Sequence, residues 1–135
     1  MKSVIAGEAV EAFRQYAAVF ERLDPSAVVP YFNQPAMLIS PQGMVSLATA
    51  TDVEQFFGRL MTDLRAQAYA KSEFPRLTDH FLSPDLAIVS GIGVWRKTTG
   101  EELRRFGLTY TLCRKPQSWK IVLAVIHDPE TALVG

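Results

Sequence analysis

The chain is 135 residues long, 48% apolar and 21% charged, with fourteen basic side chains against fourteen acidic ones and a single cysteine, Cys113. That is the profile of one globular domain, residues 1–135, whose core needs no covalent staple. It excludes an internal disulfide and a cysteine-based zinc cluster, and the absence of a basic run argues against nucleic acid or an anionic membrane as partner.

Ile5 to Arg22 reads as an amphipathic helix, with Ile5, Ala9, Ala12, Phe13, Tyr16, Phe20 and Leu23 at helical spacing. Glu8, Glu11 and Arg14 interrupt its apolar pattern. This predicts neither a signal peptide nor a membrane span and makes a cytoplasmic protein the default expectation. Asp24-Pro25 supplies an N-cap and a first helical residue for a short helix from Ser26 to about Phe32, which Asn33-Gln34-Pro35 ends. Ala36–Ser40 and Met44–Thr49 flank Pro41-Gln42-Gly43 and suggest a hairpin. Thr51-Asp52-Val53-Glu54 fits a capping box ahead of a helix whose apolar stripe runs through Val53, Phe56, Phe57, Leu60, Met61, Leu64 and Ala68.

Four strands follow, at Leu77–Leu82, Asp85–Lys97, Glu102–Lys115 and Ser118–Asp128, joined by the turn signals Ser83-Pro84, Thr98-Thr99-Gly100 and Pro116-Gln117. Lys71 to Phe74 leads into the first of these, and Pro75 predicts a bulge or an edge there. Helices segregated ahead of a meander indicate an α+β fold with helices on one face of a curved antiparallel sheet. Two-residue turns predict Val89 opposite Tyr110, Tyr110 opposite Leu123 and Phe106 opposite His127. One face then carries Trp95, Phe106, Leu108, Tyr110 and His127, the other Ile88, Ile92, Thr109, Val122 and Ile126, and a single bulge would swap part of this assignment. Both faces are apolar, yet the helices cover only one. This predicts a homodimer through the second face. Gly91 and Gly93 either leave room for a ligand or accommodate Phe106 and Leu108 as cross-strand neighbours.

The order of elements, Asp24-Pro25-Ser26-Ala27 to Tyr31-Phe32, Leu38-Ile39-Ser40-Pro41-Gln42-Gly43, Leu108-Thr109-Tyr110-Thr111-Leu112 and Trp119-Lys120-Ile121-Val122 together resemble the nuclear transport factor 2-like superfamily. The polyketide-cyclase (SnoaL-like) and ketosteroid-isomerase-like branch is nearest. The resemblance spans nearly the whole chain and implies a cone-shaped α+β barrel around an apolar pocket, usually in a dimer. Its enzymes are isomerases, dehydratases, cyclases and epoxide hydrolases, and other members bind ligands or associate without catalysis. Fold alone does not choose among these.

Ketosteroid isomerases place a Tyr on the first helix, near Tyr16 here, and a carboxylate base before a Pro, where this sequence has Ser40-Pro41. They place a protonated Asp on the penultimate strand, where Tyr110 stands. Two hydroxyl donors without a base do not make an isomerase, so steroid isomerisation is rejected. His127, beside Asp128-Pro129 at the strand end, is the candidate base, against the plainer reading of a histidine bonded to backbone. Tyr31, Ser40, Phe57, Trp95 and Phe106 are candidate wall residues. Arg105 and Asp128 are expected to pair across strands on the other face. His80 and His127 stand far apart with no third ligand in view, so no metal and no cofactor is expected. The resulting expectation is a protein with a mainly apolar pocket for a small hydrophobic molecule, with or without isomerase, dehydratase or cyclase chemistry. The alternative is a non-catalytic dimerisation or ligand-sequestering module.

Overall fold

A computed structural model describes residues 5–131. α1 (Glu8–Phe20), α2 (Pro25–Val28) and a short 3-10 turn (Val29–Tyr31) precede β1 (Phe32–Ser40) and β2 (Gly43–Leu47). α3 (Ala50–Ala66) then leads into β3 (Tyr69–Ser83), β4 (Leu86–Lys97), β5 (Glu102–Lys115) and β6 (Ser118–His127). The six strands form one curved sheet in the order β2-β1-β6-β5-β4-β3, with the helices packed against it. Among the described residues, no helix is long and apolar enough to cross a membrane.

Two features of the expected sheet are corrected. β1 runs parallel to β6, so the sheet is mixed rather than antiparallel. Its two edges, β2 and β3, remain apart, so the barrel is not closed. Neither feature is encoded locally: the β1–β6 junction joins segments about eighty residues apart through a pairing that no turn signal announces.

The helices form where side chains and backbone agree. Asp24 caps α2 through the Ser26 N–H, as its position before Pro25 predicts. α3 is capped two residues earlier than expected. Thr49 accepts the Asp52 N–H, and the Asp52 carboxylate accepts the Thr49 N–H in return. α1 begins at Gly7, which has no side chain to cap with; the Asp79 carboxylate on β3 accepts the N–H groups of Gly7, Ala9 and Val10 instead. One carboxylate thereby fixes the position of α1 over the sheet.

β3 is an edge strand whose register shifts between Glu73 and Arg76, so Pro75 brings both the edge and the irregularity predicted for it. The β4–β5 hairpin places Val89 opposite Tyr110, as read from the turn. β5 and β6 pair as expected from Lys115–Ser118 to Leu112–Ile121; there Val122 enters as an extra residue, and from Thr111–Leu123 onward the register is displaced by one. This bulge turns Ala124 and Ile126 toward the helices and sends Leu123, Val125 and His127 to the outer face. Tyr110 therefore stands opposite Ala124 rather than Leu123, and His127 stands opposite Gly107 rather than Phe106.

Candidate functional site

The core between sheet and helices is an aromatic lattice. Phe13 meets Phe74 and Tyr110 edge-on, with centroids 5.2 and 5.1 Å apart; Phe20 stacks on Trp95 at 6.0 Å, and Trp95 meets Phe106 at 5.2 Å. These rings do not fill the space. They enclose a cavity of about 130 Å³, walled also by Leu38 on β1, Phe57 on α3 and Ile126 on β6. Its lining is dominated by carbon, and an apolar cavity of about 150 Å³ accommodates a molecule the size of benzene.

The space beside the β4 glycines is taken up by neighbours. A Cβ at Gly91 would lie 1.8 Å from the Arg76 carbonyl oxygen, and one at Gly93 would lie 2.5 Å from the Phe106 ring. Gly93 thus accommodates Phe106, whereas Gly91 admits the β3 backbone rather than Leu108.

Tyr16 on α1 and Tyr110 on β5 converge on the cavity, with ring centroids 6.3 Å apart. Both side chains are buried. Burial pushes the Tyr16 hydroxyl well above the ordinary phenol value, and Tyr110 and Tyr69 add to the rise. Burial pushes Tyr110 up to about 12, with the neighbouring Tyr16 hydroxyl pulling the other way. Both are therefore neutral at physiological pH and able to donate a hydrogen bond. Tyr69, also raised by burial to about 12, is engaged with the Ser72 hydroxyl at 2.7 Å.

At the other end, Arg104 on β5 lies over Trp95 and Phe106, its guanidinium carbon 5.8 and 5.9 Å from the two ring centroids. It lines both the cavity and a wider groove bounded by Arg59 and Asp63 of α3, which shares Ser40, Gln42, Phe56, Leu60 and Trp95 with the cavity. The inner chamber therefore opens through this rim. No carboxylate and no imidazole of the described residues lines the chamber.

Residues 7–129 match the model of a family described as NTF2-like protein (DUF6841). The chain belongs to this family. Its structure is similar to Aln2 from a Streptomyces species, with a TM-score of 0.75, 13% identity, and 91% of this chain and 89% of that one covered. It is similar to an NTF2-like protein with a cystatin-like fold from Novosphingobium aromaticivorans, with a TM-score of 0.74, 16% identity, and coverages of 92% and 81%. A protein of unknown function with a cystatin-like fold from Nostoc punctiforme gives a TM-score of 0.72, 13% identity, and coverages of 89% and 87%. These likenesses carry the fold. No curated protein matches the sequence.

Within this NTF2-like domain, Tyr16, Tyr110, Ser40, Phe57, Trp95 and Phe106 all line the chamber. Ser40 is engaged locally: its hydroxyl lies 3.0 Å from Gln42 Oε1 and accepts the Gln42 N–H at 3.2 Å. Tyr31 lies outside, packing against Tyr16 with centroids 6.1 Å apart and lining a separate groove with Trp119 and Lys120. His127 is displaced further. The Val122 bulge puts it on the outer face, where Nε2 lies 2.8 Å from the Thr109 hydroxyl and Nδ1 lies 2.9 Å from the Asp128 carbonyl. Its ring packs over Gly107, where a Cβ would come within 2.6 Å of it. The structure therefore does not bring His127 together with Tyr16 and Tyr110, which face the chamber. Arg105, expected to reach across to β6, bonds Glu102 of its own strand at 2.9 Å.

Sequence reading missed Arg104, Phe74 and Ile126 as wall residues. Arg104 shares the parity of Phe106 and Tyr110 on β5, so strand alternation alone places it on the covered face. Ile126 depends on the bulge, and Phe74 on the β3 edge folding back over α1.

Proposed function

We propose that this NTF2-like domain binds a small, largely apolar molecule in the chamber between α1, α3 and the sheet, with the Tyr16 and Tyr110 hydroxyls as donors to a ligand oxygen. The observation that carries this reading is an unfilled aromatic cavity with two buried phenols converging on it. Its size favours a monocyclic ligand over a steroid. Its lining lacks a proton acceptor of the carboxylate or imidazole kind among the described residues, which favours binding, or polarisation of a ligand carbonyl, over proton abstraction. An association module with a filled core is the weaker reading, because this core is not filled.

Benzyl alcohol, a neutral monocyclic probe, tests the proposal by titration calorimetry. Saturable binding of one molecule per protomer is expected, and Ala17→Leu, which extends a cavity-wall side chain inward, should weaken it about tenfold or more. Absence of saturable binding at millimolar concentration, or an affinity indifferent to Ala17→Leu, would contradict it.

The same reading includes a homodimer through the outer face of the sheet. Met37, Ile39, Ile88, Ile92, Leu123 and Val125 lie there half-buried, on the side away from the chamber. Sedimentation at micromolar concentration should give a dimer that Val125→Lys dissociates. A wild-type monomer would remove this part of the proposal.

A further inference from the structure

The polar groups that face the chamber are of one kind. The Tyr16 and Tyr110 hydroxyls engage one another, which leaves the pair one proton to offer, and Arg104 offers guanidinium protons. The other hydroxyls of the lining are engaged, Ser40 with Gln42 and Ser72 with Tyr69. A cationic ligand would find no counter-charge in such a chamber, whereas an acceptor would find donors at both ends.

Arg104 differs from the other arginines of β4 and β5. Arg96 pairs with Glu73 at 2.7 Å, Arg105 with Glu102 at 2.9 Å, and Arg114 with Glu8 and Asp85 at 2.5 and 3.1 Å. Arg104 has no carboxylate partner among the described residues; what holds it is the two aromatic faces beneath it. A contact of that sort engages none of its N–H groups with a carboxylate, so the guanidinium keeps the fork suited to bidentate contact with one. In the groove outside, Arg59 and Asp63 carry opposite charges, so Arg104 remains the net charge at the rim. A half-buried, unpaired cation at the mouth of an apolar chamber gains from an incoming anion more than an exposed one would, because less water screens the pair.

We propose that the ligand is a small aryl carboxylate, its ring in the aromatic chamber and its carboxylate on Arg104. This rests on the reading of the chamber as a ligand site and deepens it by naming the class of molecule. The ring is matched by a cavity of about 130 Å³ walled by Phe13, Phe74, Trp95 and Phe106, and the charge by the guanidinium that lies over two of those rings.

The test compares benzoate with benzyl alcohol, a neutral molecule of similar size, by titration calorimetry on the full chain at pH 7. Benzoate is expected to bind at least about tenfold more tightly, with an affinity that falls as salt rises. Arg104→Met, which keeps an apolar side chain over the rings, should abolish that preference while leaving benzyl alcohol within about threefold of its original affinity. Arg104→Lys should retain part of the preference, because the charge remains and the planar fork is lost. Circular dichroism and retained benzyl alcohol binding establish that each variant is folded. Benzyl alcohol binding as tightly as benzoate, or a benzoate preference that survives Arg104→Met, would overturn the anion while leaving the chamber as an apolar site. Binding of neither probe would overturn the chamber reading itself, and this proposal with it.

Discussion

The two faces of the sheet are made from the same strands and differ in what packs against them. On the helix side, β4 and β5 contribute Val89, Leu108, Tyr110 and Leu112, all buried beneath α1 and α3. On the outer side the alternating residues include Ile88, Ile92, Thr109 and Thr111, no less β-prone but only half-buried. Composition does not separate the faces, since both are apolar enough to be buried. What separates them is geometry: α1 anchored over one face by Asp79, and a bulge at Val122 that decides which residues of β6 belong to which. One sheet thus carries a helix-covered face and an outer face, with a single inserted residue deciding which side chains of β6 belong to each.

The largest expected effect breaks the covered face at its tightest point. Gly91→Ala places a Cβ 1.8 Å from the Arg76 carbonyl oxygen, a backbone atom that can retreat only by parting β3 from β4. A loss of more than about 3 kcal/mol in urea unfolding is expected. Next, the same truncation on the two faces sharpens the contrast. Leu108→Ala, at a fully buried position, should cost about 3 kcal/mol, and Leu123→Ala on the outer face about 1 kcal/mol. If the outer face is a dimer interface, the Leu123→Ala loss should grow with protein concentration in the dimer-forming range. Equal losses at all concentrations would erase the distinction between the faces.

The smallest effect is read from pH. Tyr110 and Tyr16 titrate above the unfolded phenol value near 10, so the unfolded chain releases these protons first. Their contribution to stability is whole below pH 10 and is lost as pH rises above it, through about 12 for Tyr110. Urea midpoints measured from pH 9 to 11.5 should fall, and Tyr110→Phe should make the decline shallower. A decline unchanged in Tyr110→Phe would place the titrating groups elsewhere.

Much of this architecture is legible in the residues because it is local. The Thr98-Thr99-Gly100 turn fixes the β4–β5 register, Asp24-Pro25 starts α2, and Pro75 marks the irregular edge of β3. The stripe of α1 contains Phe13, Tyr16 and Phe20, and all three line the chamber. What escaped is long-range or degenerate. Asp79 caps a helix seventy positions away, and the β1–β6 pairing has no signature in either segment. The run Ile121-Val122-Leu123-Ala124 offers no alternation, so nothing in it marks which residue is the extra one. That ambiguity is why His127 reads as a chamber base and instead sits with Thr109 on the outer face. Arg104 escaped for another reason: it shares the strand parity of Phe106 and Tyr110, but a charged side chain reads as facing solvent until the two rings beneath it are seen.

The central claim is that the helix-covered face holds the ligand and the outer face does not. Isoleucine δ-methyl NMR tests it directly, since Ile126 lines the chamber while Ile39, Ile88 and Ile92 lie outside. Titration with benzyl alcohol is predicted to shift the Ile126 methyl saturably while those of Ile39, Ile88 and Ile92 stay in place. Saturable shifts confined to the outer isoleucines, with Ile126 unmoved at millimolar probe, would contradict the account.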